Sequence, residues 1–220
     1  MTDPKQKLTG PEIAAADLID WRQLLRGLHT RFATGDFVTG LALAQAIGAA
    51  AEEANHHPDL DLRYPHLDVK LSSHDVDGIT QRDVDLARVI SSLAAELGVA
   101  AAPRAVSTLE LGLDTADQEA IRPFWLALLA LDPAAGADDE VLDSSGRLPT
   151  IWFQPTEPHE TPKQRLHVDI TVPHDVAEER VAAALAAGGT LVSAERAPAY
   201  WVLADAEGNR ACVCTWQDRD

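Results

Sequence analysis

The side chains best suited to chemistry in this sequence are histidines and a carboxylate that lie close together in its first half. His56 and His57 are adjacent and precede Pro58, and His74 follows 17 residues after His57. Asp83 lies a few residues beyond a predicted turn. Histidine has the unperturbed pKa nearest to neutral pH, so three imidazoles and a carboxylate brought together could transfer protons.

Predicted helices and strands place these residues at element ends. A long helix begins at the N-cap Asp36 and ends near Ala54, just before the histidine pair. Residues 66–74 alternate as a strand does, with Leu67, Val69, Leu71 and Ser73 on one face, which puts His74 on the polar face. Thr80 and Asp83 form a variant capping box that opens a second helix, ending at Gly98.

Other interpretations of these residues stay open at this point. The two adjacent histidines could be a polar pair that ends a helix, and Asp83 could act only as a capping acid. A zinc site is less favoured, because no third soft ligand lies nearby at ligand spacing. His74 could be an exposed strand terminus.

Bulk composition excludes several classes of function. The chain has 220 residues, which suits two domains, with a formal net charge of -17 and 46% apolar residues. This acidity argues against binding to nucleic acid or to an anionic membrane surface. We expect no secretory signal and no transmembrane helix. Cys212 and Cys214, two apart in a predicted strand, are poorly placed for a disulfide, so we expect a reduced, cytoplasmic protein.

The second half of the sequence repeats one order of elements. Strands are predicted near residues 106–113, 140–142 and 150–154, with a helix over 117–131. A strand over 167–172, a helix over 176–187 and three further strands follow. This β-α-β-β(-β) order occurs twice and indicates an internal duplication. The segment 99–104 is predicted to be a linker.

Residues 8–98 resemble the pterin-4a-carbinolamine dehydratase family, and we predict a domain over 1–99. The resemblance rests on motifs in which the spacing between the histidines matches the family pattern without gaps. They are Arg31-Phe32, Asp36-Phe37, Ala51-Glu52, His56-His57-Pro58, Val69-x-Leu71-x-x-His74 and Gly78-Ile79-Thr80-x-x-Asp83.

This resemblance implies the dehydration of a 4a-hydroxytetrahydropterin to a quinonoid dihydropterin. The elimination requires an acid for the departing hydroxyl and a base for a ring-nitrogen proton, and no cofactor. By position, His56, His57 and His74 line the pterin site and Asp83 orients an imidazole, with His56 and His74 transferring protons. Glu52, Ser72 and Ser73 occupy pterin-contacting positions. Relatives assemble into oligomers, so a homo-oligomer is expected.

One departure from the family concerns residues 59–63, predicted as a loop, where Leu60 and Leu62 stand in place of a frequent aromatic residue. The alternative function is a glyoxalase-like enzyme or small-molecule binder whose first domain serves only for oligomerisation. Retention of all three histidines favours catalysis.

Residues 105–220 resemble the glyoxalase-like, vicinal-oxygen-chelate superfamily. The predicted fold class is therefore α+β: an antiparallel sheet with helices on one face, then a paired βαβββ domain. The supporting motifs are Leu111-Gly112-Leu113, Phe124-Trp125, Trp152-Phe153-Gln154, Arg165-Leu166-His167-Val168-Asp169 and Leu203-Ala204-Asp205-x-Glu207-Gly208-Asn209.

Metal-dependent members of that superfamily bind a divalent ion through four inward-facing strand residues. By position these are Glu110, a residue near Gln154, His167 and Cys212. Such a set mixes hard and soft ligands. The resemblance therefore favours a metal-free ligand cup or a domain that supports assembly, with metal binding as the alternative.

Overall fold

The computed structural model describes residues 4–129, 131–133, 136–158, 166–186, 188–204 and 210–219. Arg165 and residues 205–209, which belong to the motifs of the glyoxalase-like resemblance, lie outside the described residues. Contacts divide the chain into two units. Unit 1 contains Met1–Ser107, Pro173–Val176 and Trp216–Asp220, and unit 2 contains Thr108–Val172 and Ala177–Thr215.

The helices and strands of unit 1 are α1 (Gly10–Ala15), β1 (Arg22–Leu24), β2 (Gly27–Ala33), α2 (Phe37–Ala54), β3 (Asp59–Arg63), β4 (His66–Leu71), α3 (Gln81–Glu96) and β5 (Ala100–Ala101). Short 3-10 helices span Pro103–Ala105 and His174–Val176. The strands form an antiparallel sheet with the order β1-β2-β4-β3, in which β5 also pairs with β2.

The core of unit 1 forms where one face of the sheet meets α2 and α3. Leu67, Val69 and Leu71 of β4 are at most 2% exposed, which confirms the alternation predicted from the sequence. Leu43 of α2 and Ile90 of α3 are fully buried in the same cluster. The predicted antiparallel sheet with helices is thus confirmed.

Two segments of unit 1 differ from the sequence-based expectation. Asp59–Arg63, predicted as a loop, is the strand β3 at one edge of the sheet, where Asp59 forms an ion pair with Lys70 at 3.2 Å. Charged residues are common on edge strands, because they discourage pairing with other chains. The predicted linker contributes β5, whose Ala101 pairs with Phe32 of β2.

His29 of β2 makes the stability of unit 1 depend on pH. Burial, and then the positive charge of Lys70, lower the pKa of His29 to about 4, although Asp59 and Asp68 act in the opposite direction. In the unfolded chain a histidine titrates near its ordinary value of about 6.5. Between these two values only the unfolded state takes up the proton, so this residue removes stability as pH falls from about 6.5 to about 4.

We therefore expect His29→Gln to reduce the loss of stability on acidification. The free energy of unfolding, measured in urea at several pH values, should fall less steeply in the variant than in the wild type across that window. Above pH 7 the difference between the two proteins should be constant. Parallel curves between pH 6.5 and 4 would contradict the depressed pKa of His29.

The elements of unit 2 are β6 (Thr108–Thr115), α4 (Gln118–Leu129), β7 (Glu140–Val141), β8 (Thr150–Pro155), β9 (Leu166–Thr171), α5 (Ala177–Ala186), β10 (Thr190–Ser193), β11 (Tyr200–Ala204) and β12 (Arg210–Cys214). The strands form one mixed sheet with the order β10-β11-β12-β9-β6-β8-β7, in which β6–β8 and β9–β12 pair in parallel. The two successive runs, β6-α4-β7-β8 and β9-α5-β10-β11-β12, confirm the predicted repeat.

A second apolar cluster stabilises unit 2. Leu113 of β6, Val141 of β7 and Phe153 of β8 are buried together in it with Leu126 of α4. Among the described residues, no helix combines the length and apolar character needed to cross a membrane.

Candidate active site

The predicted site residues lie where three parts of unit 1 meet: the end of α2, the turn after β4 and the start of α3. Helix α2 ends at Ala54, and its C-cap Asn55 has a left-handed backbone (φ 47°) that turns the chain sharply before the histidine pair. Asparagine tolerates this conformation better than most residues. The backbone N–H of His56 still bonds to the carbonyl of Ala51, at 3.1 Å, so His56 is held close against the last turn of α2.

The start of α3 supplies the carboxylate. Thr80 is the N-cap, and Asp83 accepts the backbone N–H of Thr80 at 2.7 Å, which completes the capping box predicted from the sequence. A bridge between Ser73 and Gly78 closes the turn after β4 beside it. The same turn therefore fixes the entrance to α3 and the position of Ser73.

Asp83 is the centre of a buried hydrogen-bond network. Its side chain is fully buried, and its Oδ1 lies 2.6 Å from Nε2 of His56. Its Oδ2 accepts the Ser73 hydroxyl at 2.7 Å in addition to the Thr80 N–H. Such a carboxylate is held in one orientation by several donors, and the ring of His56 is held with it.

The hydrogen bond between Asp83 and His56 determines which ring nitrogen of His56 is free to react. When Asp83 is ionised its oxygens can only accept, so in that state Nε2 carries the hydrogen and donates it. The lone pair then resides on Nδ1, for which the structure shows no hydrogen bond to any described residue. This arrangement, an oriented imidazole backed by a buried carboxylate, is the one by which proteins prepare a histidine for acid–base catalysis.

The other two predicted histidines have more open surroundings. Nε2 of His57 lies 3.1 Å from Oε1 of Glu52, and both side chains are more than half exposed. His74 is exposed in the turn after β4, and no hydrogen bond or ion pair joins it to a described residue. Asp75 anchors this turn through Arg82 at 2.7 Å.

Two predicted pterin-contacting residues have different environments. Ser73 is 1% exposed and directs its hydroxyl towards Asp83, whereas Ser72 is partly exposed. Thr80 was not proposed as a site residue from the sequence, although its hydroxyl lies 2.9 Å from that of Ser73. The capping-box spacing of Thr80 and Asp83 was the signal that could have found it.

In unit 2, the predicted metal-ligand positions are brought together only in part. The ligand atoms of His167, Asp169 and Cys212 lie within 4.8 Å of one another. Asp169 was not proposed as a ligand from the sequence, but it follows His167 by two residues on β9 and so shares its face. Glu110 pairs in register with Asp169, while Gln154 donates a long bond to the Pro155 carbonyl at 3.4 Å. A hydrogen bond with Cys214, followed by burial and the charge of Asp169, raises the pKa of the Cys212 thiol.

A glycine makes room for His167. A Cβ built on Gly112 of β6 would clash with Cε1 of His167, because the imidazole lies directly over this residue of the neighbouring strand. The edge-to-face contact between His167 and Trp152, with ring centroids 5.1 Å apart, limits movement of the ring.

We expect Gly112→Ala to lower the free energy of unfolding by about 1–3 kcal/mol, the usual cost of overpacking. Urea unfolding of the full chain would measure this cost. Combining Gly112→Ala with His167→Ala should recover most of the loss, since the clash then disappears. A double variant in which the two costs simply add would contradict this explanation of Gly112.

Comparison with known proteins gives two matches along the chain. The sequence profile described as Pterin 4 alpha carbinolamine dehydratase matches residues 6–93, and the one described as Glyoxalase-like domain matches residues 110–214. A protein of Thermosynechococcus vestitus named "Putative pterin-4-alpha-carbinolamine dehydratase" is 42% identical over 40% of this chain and 96% of its own length. A protein of the same name from Nocardia farcinica is 39% identical over 40% of this chain and 94% of its own length.

Two solved structures are similar to parts of this chain. A transcriptional coactivator/pterin dehydratase from Brucella melitensis is 28% identical, with a TM-score of 0.39, and covers 40% of this chain and 99% of that one. A glyoxalase/bleomycin resistance protein/dioxygenase superfamily member from Vibrio splendidus is 12% identical, with a TM-score of 0.35, and covers 50% of this chain and 99% of that one.

Proposed function

We propose that this chain, which belongs to the pterin 4 alpha carbinolamine dehydratase family through residues 6–93, dehydrates a 4a-hydroxytetrahydropterin. The observation that carries the proposal is the buried pair of His56 and Asp83, with His57 next to it in the chain. An oriented imidazole of this kind suits an elimination that requires proton transfer and nothing else.

The reaction balances with protons alone. The bond from C4a to the hydroxyl oxygen breaks, and the departing hydroxyl takes up one proton and leaves as water. A ring nitrogen of the pterin loses one proton, and the remaining electrons form the quinonoid double bond. One group must therefore donate a proton and another must accept one, and no electron passes to an acceptor outside the substrate. The chemistry itself needs no metal or redox cofactor.

We assign the base to His56. Its Nδ1 can accept the ring-nitrogen proton while Nε2 stays bonded to Asp83, whose negative charge balances the charge that the imidazole gains. His57 would position the pterin, and the carboxylate of Glu52 is hydrogen-bonded to the imidazole of His57. His74, in the exposed turn, would protonate the departing hydroxyl and could then regain a proton from water.

Turnover by the full-length chain tests this function. A freshly generated 4a-hydroxytetrahydropterin should form the quinonoid dihydropterin faster with the protein than without it, and the change in ultraviolet absorbance follows the reaction. The elimination also occurs without a catalyst, so the comparison must be made at the same pH and buffer concentration. A rate equal to the uncatalysed rate would reject the dehydratase function and favour a role of unit 1 in assembly only.

We also propose that the chain forms a homo-oligomer in the cytoplasm. Support for assembly comes from the exposed apolar side chains at the start of α2: Phe37 is 48% exposed, Val38 77% and Leu41 54%. Apolar side chains that adjoin one another on a surface are typical of interfaces. Support for a reducing compartment comes from the free thiols of Cys212 and Cys214.

We expect the double variant Val38→Glu, Leu41→Glu to shift the protein towards the monomer, because carboxylates buried in an interface without partners are costly. Light scattering after size-exclusion chromatography at several concentrations would measure the mass. Glu53, exposed near the other end of α2, offers a control in Glu53→Gln, which should leave the mass unchanged. An unchanged mass in the double variant would exclude this face as the interface.

A further inference from the structure

Unit 1 contains a cavity of about 330 Å³, called here the α1–β1 cavity. Its walls come from α1 and the turn after it, from β1, and from His174 and Trp216, which belong to unit 1 although they come late in the chain. Among the described residues that line it, none belongs to the candidate active site. This volume is at the lower end of the range for small-molecule sites, about 300–1,000 Å³, and suits one or two fused rings.

Two tryptophans give the cavity flat apolar walls. Trp21 is 3% exposed, and its indole N–H donates to the hydroxyl of Ser91 at 3.1 Å, while its ring packs edge-on against Phe32. The indole of Trp216 lies so close to Gly10 of α1 that a Cβ at that position would clash with it. Both indoles are therefore held by the protein itself, and an aromatic ligand could stack on them.

The amide of Gln23 gives the cavity a polar group without a partner. Its Oε1 is buried, and no described residue forms a hydrogen bond with it. This oxygen approaches the first residue of α1 from the same side as the indole of Trp216. A buried amide oxygen without a hydrogen bond is costly and uncommon. Because the terminal torsion of glutamine is soft, a small rotation can turn the C=O and the NH₂ of the amide towards a ligand.

His174 adds a hydrogen-bond donor to the wall. Its Nδ1 accepts the indole N–H of Trp216 at 3.2 Å, and the two rings meet edge to face with their centroids 5.8 Å apart. An Nδ1 that accepts a hydrogen bond carries no hydrogen, so the imidazole is neutral and Nε2 carries the hydrogen. The structure shows no hydrogen bond from Nε2 to any described residue, so this N–H can serve a ligand.

Charges along the wall favour an uncharged ligand. The guanidinium of Arg22 forms two hydrogen bonds with Asp175, at 3.1 and 2.6 Å. It also donates to the backbone carbonyls of Ile19 and Trp21. The only other charged side chain among the described lining residues is that of Asp17, which is exposed. An anion would therefore meet a cation that the protein has already paired, and a carboxylate that repels it.

We propose that the α1–β1 cavity binds a small, planar, uncharged heteroaromatic molecule in which a ring N–H adjoins a ring C=O. The flat rings lie against the indoles of Trp21 and Trp216. The N–H and C=O form two parallel hydrogen bonds with the amide of Gln23, which carries the complementary pair of groups. A hydrocarbon of the same size would leave this amide unpaired, so the polar edge of the ligand determines selectivity.

The bicyclic lactam 2-quinolone is a suitable probe, because it is planar, uncharged and has the required edge. Its N-methyl derivative is a matched control, since the methyl group removes the donor and blocks the edge. Isothermal titration calorimetry of the full-length chain should show one site for 2-quinolone. The N-methyl derivative should bind about tenfold more weakly or worse, the effect of losing a hydrogen bond and leaving its partner unpaired.

Variants locate the binding site. Gln23→Leu removes the amide with little change of size, so 2-quinolone and its N-methyl derivative should then bind with similar, weak affinity. Gln6→Leu changes an exposed glutamine outside the cavity and should leave binding unchanged. Trp216→Leu should weaken both probes, because it removes one flat wall. Circular dichroism would confirm that each variant is folded, and the comparison of the two probes on the wild type needs no variant.

Three results would overturn the proposal. The first is a wild type without saturable binding of 2-quinolone, which would mean that the cavity holds only water. The second is equal binding of the two probes to the wild type, and the third is a folded Gln23→Leu protein that binds 2-quinolone as tightly as the wild type. The outcome is independent of the dehydratase function, because binding is measured without turnover and outside the candidate active site.

Discussion

An Asp83→Asn variant should lose about two to four orders of magnitude in kcat/KM for dehydration, the range that general acid–base help supplies. Asp83 accepts hydrogen bonds from the side chains of His56 and Ser73 and from the N–H of Thr80. An amide has one acceptor oxygen instead of two. If its NH₂ group faces Nε2 of His56, the ring must carry its hydrogen on Nδ1, where it cannot take a proton from the pterin.

Stability should also fall in the same variant. One buried donor loses its acceptor, which typically costs about 1–3 kcal/mol. Urea unfolding would measure the loss of stability, and the absorbance assay would measure the rate of dehydration. Asp85→Asn is a matched control on the same helix, because Asp85 is exposed. Its carboxylate accepts a hydrogen bond from the side chain of Gln81 and lies 3.5 Å from Arg88, and both contacts are on the surface. A folded Asp83→Asn protein that retained a rate near that of the wild type would remove Asp83 from the mechanism.

Those parts of the fold that depend on local patterns could be predicted from the sequence. The alternation over residues 66–73 placed Leu67, Val69 and Leu71 on the inner face, and it also placed Ser73 there, where the structure buries it. The spacing of Thr80 and Asp83 predicted the capping box at the start of α3. Both are local properties, because a strand repeats every two residues and a helix start requires fixed offsets.

Features that depend on contacts between distant segments could not be predicted in the same way. Residues 59–63 look like a loop because charges alternate with two leucines, and only pairing with β4 makes them a strand. Asp169 could be placed on the face of His167, but its approach to Cys212 depends on the parallel pairing of β9 with β12. The catalytic roles of His56, His57 and His74 stay predictions, because the hydrogen bonds in the structure orient only the first two.

His74→Ala should reduce dehydration by about two to four orders of magnitude without reducing stability. His74 is exposed, and no described residue bonds to its ring, so nothing in the folded state should be lost with the imidazole. An exposed substitution of this kind normally changes the free energy of unfolding by less than about 0.5 kcal/mol. This combination differs from that expected for Asp83, where activity and stability fall together.

The pH dependence of the His74→Ala rate separates acid catalysis from simple positioning of the pterin. If His74 protonates the departing hydroxyl, its removal should abolish the decline in rate on the alkaline side, where the imidazolium is lost, and leave the acidic side unchanged. His66→Ala, which removes another partly exposed histidine from β4, should preserve both the rate and the profile. A His74→Ala profile parallel to that of the wild type would assign His74 to binding, and a rate near that of the wild type would exclude it from the site.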